Sequence, residues 1–590
     1  MRKAASATCS FPPRSGAGEK GRKNRTMNQS KLDQLEANHV NLVDRLVDES
    51  ERGLRADMKK IDEIGRLMQE NWHSIFLILG ALLAPLMHAW HAAAAEAVAR
   101  TGDERVILSP VPPAAPHING PKVYGARPGH PFLYRIPCTG QRPMKFAAEG
   151  LPAGLALDAD TGIVTGAAPK RGEYRMTLRA QNSQGKAQRP FKLLAGDMFA
   201  LTPPMGYNHW YTHYNRITQE LMQQAADAVV SSGMADAGYQ YVNVDGCWQN
   251  APSLSKYQTD PRRVGPLRDA RGNIMPNVRF PDMKRLADYI HTKGLKAGIY
   301  TSPGPFDCAG FAGSYQHEAQ DARQFAAWGY DFVKYDWCSY GQVTGGKPDL
   351  AAMQKPFRLM GDLLRQQPRD IVLNLCQYGM GDVWKWGADV GGHSWRTGGD
   401  LGFELNHIFE VALKNCALRE YNKPGAWNDP DYIQIGWIGS QRGATFELPQ
   451  PCPLTPNEQY SFMGLWCLMA CPLFYSGDMS KLDEFTVRIL CNAELIEINQ
   501  DSLGQCARVL TRSKESFILV KDLDDGAKAV GFCNQSHFRQ RLTMKWADTG
   551  LAKPARVRDC WRGIDLKGAA DRYEIDVPPR FVEVLRLCPR

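Results

Sequence analysis

The chain has 590 residues, of which 43% are hydrophobic and 23% are charged. This is ordinary globular composition at a length sufficient for several domains, so a largely disordered or fibrous protein is excluded. The net charge of +9 is spread over too long a chain to indicate a nucleic-acid partner. The 15 cysteines are an odd number, which leaves at least one thiol unpaired.

Residues 1–97 predict an N-terminal extension that contains a signal-like apolar segment. Residues 75–87 carry no charge, and small residues follow up to position 95. A membrane span needs about 20 apolar residues, whereas a shorter run followed by small residues is typical of a signal peptide. The sequence therefore predicts export from a bacterial cell, as a periplasmic, cell-surface or secreted protein. No stable membrane insertion is expected unless the 75–95 segment stays uncleaved as an anchor; a buried helix is the other alternative.

A linker and a small β-sandwich are predicted next. Residues 98–115 are rich in proline, and residues 116–197 show short strands separated by Gly and Pro turns. The stretch 151–166 (LPAGLALDADTGIVTG) resembles an Ig-like module found in many exported bacterial proteins. That resemblance implies a spacer domain without a ligand site of its own.

Residues 198–504 alternate between apolar strands and amphipathic helices, and residues 505–590 return to alternating strands. The predicted strands are 205–208, 239–245, 295–300, 332–336, 371–376, 394–397, 426–429 and 472–475. The predicted helices include 218–235, 282–293, 317–328 and 348–366. Eight strand–helix units predict an α/β fold, a (β/α)8 TIM barrel, followed by an antiparallel β-domain. A doubly wound open sheet is the alternative, but no Gly-rich phosphate-binding turn follows any strand.

Polar and acidic side chains cluster at the carboxyl ends of the predicted strands, where TIM barrels carry their active sites. They are Asp245, Tyr300, Lys334, Asp336, Gln377, Arg396, Asp400, Asp429 and Asp431. Converging carboxylates raise one another's pKa unless cations separate them. Paired carboxylates with tryptophans nearby fit glycoside hydrolysis, and these tryptophans are Trp210, Trp248, Trp337 and Trp395. Acidic strand ends also bind Mg²⁺ or Ca²⁺, so a metal-assisted enzyme is the competing interpretation.

Seven motifs then carry a family resemblance. They are 201–206 (LTPPMG), 241–245 (YVNVD), 294–300 (GLKAGIY), 334–338 (KYDWC), 395–400 (WRTGGD), 427–431 (WNDPD) and 499–504 (NQDSLG). In this order and spacing the chain resembles glycoside hydrolase family 27, the melibiase-type α-galactosidases, from about residue 200 to residue 590. The resemblance implies a retaining exo-glycosidase for terminal α-galactosides, with no cofactor or metal, acting on galactose-containing oligosaccharides or glycoconjugates.

The resemblance also assigns the two reacting carboxyls. Asp336 of the Lys-Tyr-Asp-x-Cys motif would be the nucleophile, and Asp400 would be the general acid/base. Asp336 must be ionised, and we expect neighbouring Lys334 to favour that form, whereas crowding by other carboxylates would keep Asp400 protonated. A retaining mechanism requires the two carboxyls to lie about 5–5.5 Å apart.

The other implied site residues bind the sugar or brace the site. The substrate-binding set is Trp210, Asp245, Tyr300, Lys334, Gln377, Arg396 and Asp431. Trp210 would face the apolar side of the pyranose, and Asp245 would read the axial 4-OH of galactose. The family pattern also implies a disulfide between Cys308 and Cys338, which would agree with export.

Three departures from the family pattern leave alternatives open. Gly246 stands where a second Asp helps to hold the sugar's 6-OH, Gln377 replaces Glu, and Tyr432 replaces Met. Losing a charged contact to a hydroxyl costs roughly 1.5–3 kcal/mol unless another group substitutes. A β-L-arabinopyranosidase is therefore the first alternative, because that sugar lacks the exocyclic CH₂OH. An α-N-acetylgalactosaminidase and a non-catalytic sugar-binding barrel are the others.

Overall fold

The computed structural model describes residues 105–439, 441–442, 445–446, 448–567 and 571–589. The predicted extension 1–97 and its apolar 75–95 segment lie outside these residues, so export and signal cleavage stay predictions. Within the described ranges no helix combines the length and the apolar character that crossing a membrane requires.

The first folded region is an Ig-like β-sandwich, as predicted. Its strands are His117–Ile118, Val123–Ala126, Pro131–Arg135, Cys138–Thr139, Lys145–Glu149, Leu155–Leu157, Ile163–Ala167, Gly172–Asn182 and Gly185–Ala195. They form sheets of four, three and two strands. The two longest strands pair antiparallel along their whole length. Buried side chains of the two larger sheets, among them Phe132 and Phe191, fill the space between them.

The central region is a parallel barrel of eight strands, which confirms the predicted fold class. In chain order they are Met205–Asn208, Tyr241–Asn243, Lys296–Thr301, Phe332–Asp336, Val372–Cys376, Ser394–Arg396, Trp427–Asp429 and Leu473–Tyr475. Each strand pairs with the next, and the first also pairs with the eighth. Between the last two strands the ring is joined by a parallel bridge from Ile433 to Tyr475.

Helices surround this barrel and begin at side-chain caps. They are Trp210–His213, Gln219–Ser231, Met234–Ala237, Met283–Thr292, Glu318–Trp328, Tyr340–Val343, Leu350–Arg365, Leu405–Ala417, Pro456–Met469, Glu484–Leu490 and Ala493–Asn499. Thr455 and Glu458 form a capping box at one start. The prediction of one helix over 218–235 is wrong in one respect. Gly233 adopts a φ of 87°, which ends the first helix and starts a short second one.

Close packing inside the barrel depends on particular residue sizes. A Cβ on Gly298 would lie 1.9 Å from Asn243 Oδ1 on the neighbouring strand, so only glycine fits there. The rings of Tyr241, Phe332 and Phe474 meet edge to face in the interior. The barrel is therefore filled below its carboxyl ends and leaves only that mouth for a substrate.

The C-terminal region is an antiparallel β-domain, again as predicted. Its strands are Arg508–Arg512, Ser516–Asp522, Lys528–Asn534, Gln540–Lys545, Arg556–Asp559, Ile564–Leu566, Arg572–Val577 and Val582–Cys588. Two short hairpins lie between barrel strands seven and eight, built from Trp437–Ile438 with Gln450–Pro451 and from Gln441–Arg442 with Thr445–Phe446.

The Ig-like sandwich contacts the barrel at the end opposite the strand carboxyl termini. Arg127 donates to Asp370 at 2.6 Å, and Arg142 donates to Asp236 at 2.8 Å. Both aspartates lie in turns that lead from a helix into a barrel strand. The sandwich therefore sits on the amino-terminal face and supplies no side chain to the mouth through these contacts.

Candidate active site

The barrel brings most of the predicted site residues to one mouth. Asp245, Tyr300, Asp336, Gln377 and Arg396 lie at the ends of strands two to six or directly after them. All five are nearly inaccessible to solvent, which places charged and polar groups in a poorly hydrated space. Such burial strengthens electrostatic interactions with a bound substrate.

The carboxyl of Asp336 is held by two phenols. Tyr300 donates its hydroxyl to Oδ2 at 3.2 Å, and Tyr378 donates to Oδ1 at 2.6 Å. Burial raises the pKa of Asp336 above its usual range, although the Lys334 ammonium and the Tyr378 hydrogen bond act in the opposite direction. The expectation that Lys334 would dominate and favour the ionised form is therefore corrected: in the free protein, burial outweighs it.

Lys334 is instead paired with Asp245. Its Nζ lies 2.9 Å from Asp245 Oδ2, which also accepts a hydrogen bond from Asn208 Nδ2 at 2.9 Å. Burial by itself would raise the pKa of Asp245, but the nearby Lys334 cation lowers it below the usual value. The three side chains form a charged cluster with donors and acceptors for neighbouring hydroxyls.

Arg396 organises the opposite side of the mouth. Its Nη2 lies 3.0 Å from Asp431 Oδ2 and 3.3 Å from Asp400 Oδ1. The Asp431 side chain is fully enclosed, and burial raises its pKa to about 6 despite the guanidinium. It also accepts hydrogen bonds from the Tyr211 hydroxyl and from the backbone N–H of Leu401. Asp431 thus fixes both Arg396 and the chain segment beside Asp400.

Asp400 differs from every other acid in the mouth because 63% of its side chain is exposed. The crowding by carboxylates that the sequence suggested is moderated by the guanidinium beside it. Its exposure places a proton-exchanging group where solvent can reach it.

Gln377 presents an acceptor without a partner. Its Nε2 donates to the carbonyl of Met380 at 3.0 Å, which fixes the orientation of the amide. Its Oε1 is buried and has no hydrogen-bond partner among the described residues. A buried unpaired acceptor costs free energy, so its presence at the mouth indicates a group completed by a ligand.

The four tryptophans separate into one exposed and three enclosed side chains. Trp210 is partly exposed at the end of strand one, and its backbone N–H donates to Asn208 Oδ1. Trp248 and Trp395 are buried, and the Trp248 indole donates to the carbonyl of Tyr300. Trp337 packs on Phe357. The association of all four with substrate is corrected: the last three support the mouth from within.

The predicted disulfide between Cys308 and Cys338 is present and is confirmed. It joins the loop after strand three to the loop after strand four, two residues beyond Asp336. The other twelve cysteines that the structure describes are free.

Sequence reasoning missed several residues that complete the mouth. Tyr378 and Tyr211 bind carboxyls of the site, and Asn208 binds Asp245, as given above. Asp307 is buried beside Gly246, where it accepts a hydrogen bond from the backbone N–H of Cys247. Their positions directly after predicted strands were the available signal. Tyr378 adopts a φ of 62°, a strained conformation that the sequence pattern does not indicate.

A (β/α)8 barrel with a buried carboxyl, a second solvent-exposed carboxyl and unpaired acceptors for hydroxyls defines the class of glycoside hydrolases. Family models extend this. The model described as "Alpha galactosidase A" matches residues 202–501, that of the α-galactosidase C-terminal β-sandwich domain matches 514–587, and that of an Ig domain matches 115–195. The chain belongs to the melibiase-type α-galactosidase family, glycoside hydrolase family 27.

Individual relatives agree with that membership. The chain is 34% identical to Alpha-galactosidase A of Cellvibrio japonicus, over 67% of this chain and 94% of the relative. It is also 34% identical to the Alpha-galactosidase of Cyamopsis tetragonoloba, over 68% and 89%. A solved Bacteroides fragilis structure, of a candidate α-galactosidase/melibiase, is 36% identical with a TM-score of 0.73 and covers 82% of this chain and 99% of its own. A GH27 β-L-arabinopyranosidase of Geobacillus stearothermophilus is 25% identical, with a TM-score of 0.58 and coverage of 66% and 97%.

Proposed function

We propose that this chain hydrolyses terminal α-galactosides by double displacement, with Asp336 as the nucleophile and Asp400 as the general acid/base. The observation that carries the assignment is the contrast between the two carboxyls. Asp336 is buried and oriented by two phenol hydroxyls, whereas Asp400 is exposed beside a guanidinium. One carboxyl is thus built to attack from a fixed position and the other to exchange protons with water.

The reaction then proceeds in two steps on the chain's own groups. Asp336 attacks the anomeric carbon while Asp400 gives its proton to the departing glycosidic oxygen, which forms a glycosyl–enzyme ester. Asp400 next takes a proton from a water molecule as that water attacks the same carbon, and Asp336 is released as a carboxylate. The tyrosine hydroxyls hold the carboxyl in place during both steps.

The sugar's hydroxyls would be bound on the two flanks of Asp336. The Asp245–Lys334 pair with Asn208 would bind the hydroxyls far from the reacting carbon, including the axial 4-OH. Gln377 Oε1 and Arg396 would lie near the 2-OH, since the former needs a donor to satisfy it. Asp431, which has no exposed side-chain surface, would act through Arg396.

The assignment is tested by replacing each carboxyl and following the products. Asp336→Asn should lower kcat with a nitrophenyl α-galactoside by about a thousandfold or more, with an unchanged circular dichroism spectrum. Asp400→Asn should slow a natural galactoside by roughly 10²–10⁴-fold and an activated nitrophenyl galactoside much less, because a good leaving group needs no proton. Asp227→Asn, which removes a carboxyl on an outer helix, is the control. Retained turnover in Asp336→Asn, or an inverted anomer of galactose by NMR, would contradict the mechanism.

The alternative activities are not favoured by the comparisons. The most similar named relatives are α-galactosidases at 34% identity, whereas the arabinopyranosidase shares 25%. Both carboxyls of the proposed mechanism are present, which argues against a non-catalytic barrel. That no metal or cofactor takes part stays a prediction, and EDTA should leave the activity unchanged.

We also propose that the protein is exported. The Cys308–Cys338 disulfide supports this, because disulfides persist in oxidising compartments. N-terminal sequencing of the natural protein should give a mature chain that begins near position 95. A chain that retains the 75–95 segment in the soluble cytoplasmic fraction would contradict export.

A further inference from the structure

The loop after barrel strand three places a carboxyl against an empty side-chain position on strand two. A Cβ built on Gly246 would lie only 2.9 Å from Asp307 Oδ2, with the ring edge of Tyr300 3.4 Å from the same point. Asp307 therefore occupies the space that a side chain at position 246 would need. The two positions are alternatives for one volume beside Asp245.

The carboxyl of Asp307 is held so that one oxygen is anchored and the other is less occupied. Oδ1 accepts hydrogen bonds from the backbone N–H groups of Ala309 and Phe311, at 2.9 and 2.8 Å. Oδ2 accepts a single, longer one of 3.3 Å from the N–H of Cys247. A carboxylate oxygen has room for a further donor, so Oδ2 retains hydrogen-bonding capacity on the side of Gly246.

The position of this carboxyl relative to the reacting groups is set by Tyr300 and by the disulfide. The ring edge of Tyr300 faces the Gly246 position, while its hydroxyl reaches Asp336. Cys308, next to Asp307, is bonded to Cys338 just beyond the nucleophile. Asp307 therefore lies at the rim of the mouth, outside the Asp245–Lys334 cluster that faces the ring hydroxyls. Among the sugar's substituents the exocyclic hydroxymethyl group projects furthest from the ring.

We propose that Asp307 is a specificity-determining residue that hydrogen-bonds the exocyclic hydroxymethyl group of a terminal galactoside, in space that Gly246 leaves open. This inference rests on the proposed function and names which part of the substrate the enzyme requires. It makes the enzyme selective for galactosides over β-L-arabinopyranosides, which share the ring stereochemistry but lack the CH₂OH. Burial raises the pKa of Asp307 to about 7, so near neutral pH the carboxyl is available both as acceptor and as donor.

The test compares kcat/KM for nitrophenyl α-galactoside with that for nitrophenyl β-L-arabinopyranoside. Asp307→Asn keeps an oxygen for the two anchoring N–H groups and changes only the group that replaces Oδ2. We expect the galactoside-to-arabinoside ratio to fall roughly 10- to 100-fold, through loss of activity on the galactoside. A merely structural role of Asp307 in its loop would lower both activities together and leave the ratio unchanged.

A second variant keeps the test decisive if Asp307→Asn folds poorly. Gly246→Ala retains Asp307 but adds a Cβ that displaces its Oδ2, and we expect the same fall in the ratio. Asp158→Asn, which removes a carboxyl that caps backbone N–H groups in the Ig-like sandwich, is the matched control and should leave both activities unchanged. An unchanged ratio in both site variants overturns the inference. Failure of the unaltered enzyme to hydrolyse the galactoside would instead overturn the proposed function.

Discussion

The hydrogen bond from Tyr378 to the proposed nucleophile gives a quantitative prediction for the pH profile. Tyr378→Phe removes a 2.6 Å donor from Asp336 Oδ1 and leaves the Tyr300 hydroxyl on Oδ2. This donor lowers the pKa of Asp336 against the effect of burial. A hydrogen bond to a charged acceptor contributes about 1.5–3 kcal/mol, and 1.36 kcal/mol corresponds to one pKa unit. The pKa of Asp336 should therefore rise by about 1–2 units in the variant.

The measurement is kcat/KM on a nitrophenyl α-galactoside from about pH 3 to pH 8, because its acid limb reports the free enzyme's essential base. We expect the acid limb of Tyr378→Phe to move to higher pH by that amount. The matched control is Tyr289→Phe, which also removes a phenol-to-carboxylate bond, to Asp227, but between outer helices. An acid limb that coincides with that of the unaltered enzyme, or one that shifts equally in the control, would refute this role of Tyr378.

Three further predictions concern stability. Glu583→Gln should stabilise the protein progressively as the pH rises above about 7, by about 1–3 kcal/mol, because burial raises the pKa of this carboxyl to about 7 and its charged form is disfavoured; urea unfolding at several pH values checks this, and a constant difference would contradict it. Gly298→Ala should destabilise by about 1–3 kcal/mol, since its Cβ would overlap Asn243, whereas Gly341→Ala, with open space around its Cβ, should not; equal urea midpoints for the two would contradict the packing argument. Arg127→Ala should lower the Tm by a few degrees, roughly 2–6 °C, while leaving kcat/KM unchanged, because the sandwich contacts the face of the barrel opposite the mouth; a substrate-dependent loss of activity would argue that the sandwich contributes to substrate binding.

The barrel was predictable because each strand carries its own apolar run and its own polar residue at the carboxyl end. The predicted strand 332–336 coincides with the observed Phe332–Asp336, and the residues that end it reach the mouth as expected. Periodicity and the order of motifs contain this information locally. The placement of Asp245, Asp336 and Arg396 followed from it.

Partners across the mouth were not predictable from local pattern. Lys334 and Asp336 lie two apart on one strand and so share a face, which suggested that they pair. In the barrel, however, the end of strand two brings the carboxylate of Asp245 within 2.9 Å of the ammonium. Likewise, nothing in the sequence distinguishes a tryptophan that turns inward, such as Trp248, from one that faces the substrate. These outcomes depend on contacts between strands that are far apart in sequence.

The buried titratable groups of the mouth predict where the folded protein is most stable. Asp431 and Asp307 have pKa values raised to about 6 and about 7, above the unfolded value, so their favourable contribution is present at low pH and is lost as the pH rises through those values. The buried imidazoles of His209 and His393 have pKa values lowered to about 3, so they destabilise the fold as the pH falls below about 6.5, the unfolded value. The two effects oppose each other, and we expect the highest Tm near pH 6 to 6.5. Thermal unfolding across pH at constant ionic strength measures this; a Tm that keeps rising above about pH 8 would show that the carboxyls are not held in the poorly hydrated state on which the proposed mechanism depends.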